Sequence, residues 1–180
     1  FSADTLTEVA LKCEEAALGI EGITNSEGAS AGQSTAEIAI ATSTGFRGEY
    51  ERSSFSISAS VLAEKDGRME SDYDFSSAVF AEDLLDAKLI GRSAGERTIK
   101  KLGARSAETG QFPVIFDSRV SRSLTGHFTS AVNGASIARG SSFLKDKMGH
   151  KIANSSINVT DDPLRRRGFG SRRFDGETLP

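Results

Sequence analysis

The sequence is poor in the residues from which disulfides, metal centres and membrane spans are built. Its 180 residues include one cysteine, two histidines, three prolines and no tryptophan. A lone cysteine excludes a disulfide within the chain and favours a reducing compartment, so we expect a cytoplasmic protein. No run approaches the roughly 18 consecutive apolar residues that cross a bilayer, and no membrane-spanning segment is expected.

Charge of one sign is also scarce. The formal net charge is -3 and the isoelectric point is near 5.5. Neither value supports nucleic acid or an anionic membrane as a general partner. What the chain has instead is small residues: 18 glycines and many serines beside a hydrophobic content of 37%. This composition favours open β structure with small side chains.

The first element is predicted to be an amphipathic helix. Asp4 is a good N-cap, apolar residues follow at helical spacing, and Gly19 supplies a stop. Cys13 lies on the apolar stripe of this helix. We therefore expect a buried, unreactive thiol and a helix whose role is packing.

The clearest periodicity belongs to a β-hairpin. After one or two short strands between Ile23 and Ala41, apolar residues alternate strictly with serines from Ser54 to Val61. Lys65-Asp66-Gly67 predicts a tight turn. In the returning strand, Met69, Tyr73 and Phe75 alternate with charged residues. The hairpin is thus predicted to have one apolar face, formed in part by these three residues and covered by helices.

Helices and short strands alternate in the rest of the chain. Acidic residues from Glu82 to Asp86 and the lysines before Gly103 delimit a second helix, whose small-residue stripe predicts close packing against the sheet. A buried strand is predicted at Pro113–Phe116, a helix capped by Asp117 or Ser118, and a strand near Ile157–Val159. This order is α+β, with a mixed, largely antiparallel sheet and helices on one face.

One histidine stands in the predicted third helix, within Gly126-His127-Phe128-Thr129-Ser130-Ala131-Val132. A zinc-protease helix of the form H-E-x-x-x-H would have glutamate at position 128 and histidine at position 132. Phe128 cannot accept a proton and Val132 cannot bind a metal. Positions five apart also lie about 140° apart on a regular helix. Local sequence therefore favours a packed histidine and predicts no metal ligand in this chain.

Other chemistry-bearing residues give weaker signals. His150 has no ligand cluster beside it, and the acids Asp161-Asp162 are typical of backbone capping at a strand end. No phosphate-binding glycine loop and no nucleophile elbow are present. A basic loop contains Arg165, Arg166, Arg167, Arg172 and Arg173. The scarcity of aromatic residues around it favours a solvated or partner-facing loop over a nucleic-acid site.

An ordered series of short motifs resembles the TldD/PmbA family, which is also called "modulator of DNA gyrase". In chain order the motifs are Ile23-Thr24-Asn25-Ser26-Glu27-Gly28, Phe112-Pro113-Val114-Ile115-Phe116-Asp117, Gly126-His127, Ser141-Ser142-Phe143-Leu144, Asp161-Asp162-Pro163, Gly170-Ser171 and Phe174-Asp175. The likeness covers essentially all 180 residues. One departure is Thr178, which follows Glu177 where the family commonly has the glycine of D-x-E-G.

The resemblance implies a branch within the family. In the TldD branch, an H-E-x-x-x-H helix and a distant cysteine hold zinc in a peptidase. In the PmbA (TldE) branch these ligands are lost. By position, His127 corresponds to the first motif histidine, Phe128 to the lost glutamate and Val132 to the lost second histidine. This chain thus resembles the PmbA branch, with no catalytic, cofactor-binding or metal-binding residue of its own.

The same resemblance implies partners and a domain organisation. We expect zinc in a TldD-like catalytic subunit, extended or unfolded peptides as substrates, and a homodimer as an option for the isolated chain. The chain is expected to be the central fragment of a longer protein. Residues 1–110 would form a strand-rich part with two helices, and residues 111–180 would begin a C-terminal domain that carries the degenerate motif helix.

Two alternatives remain open at this stage. One is an autonomous metallopeptidase whose rearranged site uses His127, His150 or residues elsewhere. The other is a modulator associated with DNA gyrase or nucleic acid, which the arginine loop and the historical family name suggest. For the latter, binding to DNA should weaken steeply with salt.

Overall fold

A three-stranded antiparallel sheet in the order β1-β2-β3 organises the first half of the chain. The computed structural model describes residues 1–177. Its elements are α1 (Ala3–Leu18), β1 (Ile23–Ala41), β2 (Arg47–Lys65), β3 (Arg68–Ala78), a 3-10 turn (Ala81–Asp83), α2 (Ala87–Lys101), α3 (Ser118–Val132) and α4 (Gly134–Ala138). The predicted α+β class is confirmed. Every strand pair is antiparallel, and β1 is one continuous strand.

The chain forms two compact units. The first contains residues 1–106 together with the described residues from Asp162 onward, and the second contains Ala107–Asp161. In the part of the chain that the structure describes, no helix is both long and apolar enough to cross a membrane.

Helices α1 and α2 cover one face of the sheet in the first unit. The alternation in β2 is confirmed, because its odd-numbered residues from Ile57 to Ala63 are buried beneath these helices. The core cluster consists of Cys13, Ala17, Ile57, Ala59, Val61, Ile90 and Ala94. The predicted turn is also confirmed. Asp66 and Gly67 both have positive φ values, 52° and 73°, which suits a two-residue hairpin turn.

The prediction for the faces of β3 is wrong. The register pairs Tyr73 with Ser60 and Val61 with Asp72, so the helix-covered face of β3 carries its acidic and small residues. Asp72 is buried, whereas Met69 is 70% exposed. Partners within the first unit make this burial possible. Lys101 of α2 lies 3.3 Å from the Asp72 carboxylate, and the Tyr73 N–H donates to Asp72 Oδ1 at 2.8 Å.

The two helices pack closely on each other at the glycines of α2. A Cβ added to Gly91 would lie 2.0 Å from the Cys13 carbonyl oxygen, and one added to Gly95 would lie 2.7 Å from Ile20. The small-residue stripe of α2 is predicted to pack against the sheet; its Ala94 lies in the core cluster with Ala59 and Val61 of β2, whereas its Gly91 faces α1. The cap of α1 also differs from the prediction. Ser2, two residues before Asp4, accepts the Thr5 N–H at 3.1 Å.

The buried thiol of Cys13 gives a pH-dependent prediction. Burial, reinforced by the negative charges of Asp74, Asp86 and Glu14, raises its pKa from 9.0 to about 11. The unfolded chain ionises first as the pH rises. The free energy of unfolding should therefore fall between pH 9 and pH 11, by an amount on the order of 2 kcal/mol.

Urea unfolding at several alkaline pH values tests this prediction. Cys13→Ala is the reference, since it removes the thiol and leaves the other groups that titrate in this range. The free energy of unfolding should fall between pH 9 and pH 11 in the parent, and this fall should be absent from Cys13→Ala. Parallel curves for parent and variant would show that the thiol is not desolvated.

The second unit contains helices α3 and α4 joined to irregular segments, and the two strands predicted in it are wrong. Residues 113–116 and 157–159 are irregular, and Ile115 is 97% exposed. Apolar β-branched residues form a strand only where a neighbouring edge accepts their backbone hydrogen bonds. Residues 107–161 contain no strand that could provide such an edge.

Candidate functional site

The helix that carries the degenerate motif is regular from end to end. Asp117 caps α3 as predicted, with its Oδ1 accepting the Arg119 N–H at 3.0 Å. The helix ends at Val132, because Asn133 caps α4 by accepting the N–H groups of Ala135 and Ser136. Both motif positions that would bear zinc ligands therefore lie on one undistorted helix.

The side chains at these positions do not converge. His127 is exposed, so the prediction of a packed histidine is wrong. Phe128 is half-buried and Val132 is 44% exposed. In a regular helix, positions 127 and 132 point about 140° apart. Only Ala131 of this helix is buried, and its carbonyl accepts a hydrogen bond from the buried Ser142 hydroxyl at 2.6 Å. The buried contact of α3 is therefore at its C-terminal end, at Ala131, and His127 takes no part in it.

The remaining candidate ligands are dispersed. His150 lies in a turn and uses its backbone N–H to bond Lys147 at 3.0 Å, while Cys13 is buried in the first unit with its thiol protonated at neutral pH. Asp162 accepts the Leu164 N–H at 3.1 Å, in the capping role predicted for it. Within residues 1–177, no three His, Cys, Asp or Glu side chains come together to hold a metal ion. The described residues therefore do not fit a zinc centre.

One arginine of the basic loop makes ion pairs within the protein, and the others are exposed on its surface. We call residues Asp162–Glu177 the arginine segment. Arg167 binds Asp83 Oδ1 at 2.7 Å and Glu82 Oε1 at 2.8 Å, and its guanidinium lies 4.5 Å from the centre of the Phe80 ring. The hydrogen bonds that Arg167 donates to the Glu82 and Asp83 carboxylates raise its pKa. A fork of two charge-assisted bonds suits arginine and not lysine.

Further contacts attach the arginine segment to the long hairpin of β1 and β2. Arg52 donates to the Phe169 carbonyl at 3.2 Å. The Phe174 ring packs edge-on against Phe46 and Tyr50, with 5.2 Å between ring centres in each pair. Gly48 leaves room for this ring, since a Cβ there would lie 2.6 Å from Phe174. These contacts fix the position of the arginine segment on the first unit, and we call this position its seat.

Sequence reasoning missed this arrangement because the partners are distant along the chain. Glu82 lies 85 positions before Arg167, and its local sequence predicts only a helix start. The other arginines of the loop are exposed, as predicted for a solvated or partner-facing surface. Nothing in the run of arginines itself indicates that Arg167 would form ion pairs within the protein.

A cleft of about 760 Å³ lies beside this seat. Three parts of the first unit form its walls: the paired strands β1 and β2, the residues that follow β3, and the arginine segment. The lining residues are Thr35, Ala36, Glu37, Glu51, Arg52, Ser53, Val79, Phe80, Gly168, Phe169 and Ser171. Nothing in the local sequence around any one of these residues predicts the cleft.

Comparison with known proteins gives the family. The central domain of PmbA/TldA metallopeptidases matches residues 1–102, and the C-terminal domain of the same peptidases matches residues 109–180. Metalloprotease PmbA of Escherichia coli O157:H7 is 33% identical over 177 residues, which are 98% of this chain and 39% of that protein. A metalloprotease PmbA homolog of Haemophilus influenzae is 31% identical over 178 residues, 98% of this chain and 40% of its own.

Solved structures agree. A protein of Bacteroides thetaiotaomicron named as a candidate modulator of DNA gyrase superimposes with a TM-score of 0.90 at 31% identity, over 99% of this chain and 41% of its own. TldE of Thermococcus kodakarensis shares the fold, with a TM-score of 0.77 at 20% identity over 100% of this chain and 41% of its own. The chain thus spans about two fifths of the length of these relatives. It belongs to the PmbA/TldD metallopeptidase family.

Proposed function

We propose that this chain is part of a PmbA/TldE-like noncatalytic subunit, which pairs with a TldD-like, zinc-bearing peptidase and shapes the chamber that receives extended peptides. One observation carries the proposal. The helix at the family's motif position is intact, yet it presents Phe128 and Val132 where a peptidase of the TldD branch has a base and a ligand.

The side chains of α3 support this role in chemical terms. A hydrolytic zinc site needs about three protein ligands and a general base that takes a proton from the metal-bound water. Phe128 has no titratable group, and Val132 has no donor atom. His127 alone supplies one possible ligand from an exposed position. The helix keeps its N-cap at Asp117 and its regular geometry, as expected for a domain retained for shape and assembly.

Substitution of His127 in the reconstituted complex tests the assignment. In the intact polypeptide combined with its TldD-like partner, His127→Ala should leave zinc content and the rate of peptide cleavage within about twofold of the parent. The substituted residue is exposed, so folding should not change. His150→Ala, which removes the chain's other imidazole, is the matched control.

A different result would support the autonomous metallopeptidase. If His127→Ala removed zinc and activity while the complex still assembled, His127 would be a ligand and the proposal would be wrong.

A further inference from the structure

We propose that Asn133 is a deamidation site, where the Gly134 nitrogen closes a succinimide ring once the first turn of α4 opens. The N-cap of α4 restrains this reaction in the folded chain. Asparagine is a thermolabile residue, and it reacts most readily before glycine, which has no Cβ to obstruct its own nitrogen. Asn133-Gly134 is the one pair of this kind in the sequence. The site is independent of the proposed function, since no substituted motif residue takes part in the reaction.

The reaction needs water and no other partner. The Gly134 nitrogen gives up its proton and bonds to the side-chain carbonyl carbon, Cγ, of Asn133. The amino group on Cγ takes up a proton and leaves as ammonia. Water then opens the ring at one of its two carbonyl carbons. Opening at Cγ gives aspartate, and opening at the main-chain carbonyl gives isoaspartate, in which the main chain runs through the former side chain.

The Gly134 nitrogen is available for this attack. Gly134 is the first residue of α4, where a helix provides no internal acceptor for the N–H group. Apart from its chain neighbours and its own helix backbone, no described atom lies within 4 Å of the place where a Cβ of Gly134 would be. The described surroundings therefore do not shield the nucleophile.

The folded junction holds the two reacting atoms apart. Ring closure requires a negative ψ at Asn133, which brings the Gly134 nitrogen to the side-chain carbon, whereas ψ is 128° in the structure. Asn133 Oδ1 accepts the Ala135 N–H at 3.0 Å and the Ser136 N–H at 3.3 Å. The Asn133 main-chain carbonyl accepts the Ile137 N–H at 3.0 Å. These bonds must break before ψ can change, so the reaction proceeds from an opened turn.

The helix that restrains the reaction is very short. Helix α4 contains five residues, Gly134–Ala138, and none of them is buried. A single helical turn with so little packing is only marginally stable. Local opening of this turn should therefore occur while the rest of the fold stays intact.

The charge at position 133 matters because Asn133 lies between two helices. It is the C-cap of α3 and the N-cap of α4. A carboxylate is favourable at the N-terminus of α4 and unfavourable at the C-terminus of α3, whereas the neutral amide suits both helix ends. Isoaspartate also lengthens the main chain by one carbon, which displaces the capping group. Deamidation thus alters the chain directly after Val132, the second substituted motif position.

Mass spectrometry of the intact polypeptide, incubated at mildly alkaline pH, tests the proposal. Conversion of Asn133 is followed in the proteolytic fragment that contains it, and isoaspartate is detected with a methyltransferase specific for that residue. Conversion in the folded polypeptide should be at least fivefold slower than in the same polypeptide unfolded in urea, because the cap must open first.

Variants separate the restraint from the chemistry. Ala135→Gly weakens α4, so it should speed conversion of the folded polypeptide about fivefold, the ordinary effect of glycine in a helix, without changing the rate in urea. Ala3→Gly, the same substitution at an exposed position of α1, should change neither rate. Gly134→Ala should slow conversion at least fivefold in both states, because its methyl group obstructs the attack.

Two results would overturn the restraint by the cap: equal rates in the folded and unfolded polypeptide, or a folded rate that Ala135→Gly leaves unchanged. Undiminished conversion in Gly134→Ala would overturn the ring-closing step, since the amide would then be hydrolysed directly. Zinc content and partner pairing are measured on fresh parent protein, so these results leave the proposed function standing.

Discussion

Gly91→Ala should destabilise the first unit by about 3 kcal/mol or more. The added methyl group would lie 2.0 Å from the Cys13 carbonyl oxygen and 3.0 Å from the Ala17 nitrogen. These are backbone atoms of α1, so no rotamer change relieves the clash, and the two helices must separate. Separation would open the core at Cys13, Ala17 and Ala94, where cavities and strain add to the cost.

Gly126→Ala is the matched control, because Gly126 also lies inside a helix but has open space where a Cβ would be. It should stabilise α3 by about 0.5–1 kcal/mol, the ordinary preference for alanine over glycine in a helix. Chemical denaturation, followed by circular dichroism, measures both changes. A Gly91→Ala protein within about 1 kcal/mol of the parent would show that α1 and α2 do not pack at this distance.

Val61→Asp should unfold the first unit at room temperature. Val61 is fully buried on the helix-covered face, directly opposite Asp72. A new carboxylate there would be desolvated beside an existing one, which costs several kcal/mol, a large share of a domain's stability.

Met69→Asp provides the comparison. It also places an aspartate directly opposite an acid, Glu64, but at a position that is 70% exposed. Its cost should stay below about 1 kcal/mol. Circular dichroism and thermal unfolding distinguish the two. Equal effects would mean that the faces of β3 are reversed, as its alternation of apolar and charged residues suggests.

This last comparison shows what the sequence could and could not predict. The alternation in β2 sufficed to place its buried residues, since serines and apolar residues separate cleanly. The same reasoning failed in β3, because the hairpin register decides which residues face the helices. Register follows the turn at Asp66-Gly67, and the buried Asp72 is accommodated through Lys101, 29 positions away.

The strands predicted at residues 113–116 and 157–159 failed for a related reason. Strand propensity is local, whereas a strand needs a partner edge, and the second unit has none. The helices were predicted more reliably, and so was the cap at Asp117, because their hydrogen bonds are made within a few residues; the cap of α1 was misplaced by two residues.

For the candidate site, the sequence was sufficient to identify the family and the substituted motif positions. It could not reveal the seat of the arginine segment or the cleft. Both depend on contacts between residues far apart in the chain, such as Arg167 with Glu82 and Arg52 with Phe169. A run of arginines or an alternating strand pattern does not indicate which of its residues will contact a residue elsewhere in the chain.

The zinc content of the intact polypeptide, purified without its partner, tests the central claim most directly. We expect well under 0.1 zinc per chain after dialysis against zinc-buffered solution, and no cleavage of an unfolded peptide until a TldD-like subunit is added. One zinc per chain together with peptide cleavage by the polypeptide alone would contradict the account. Phe128 and Val132 would then be compatible with a working site, and the chain would be a peptidase in its own right.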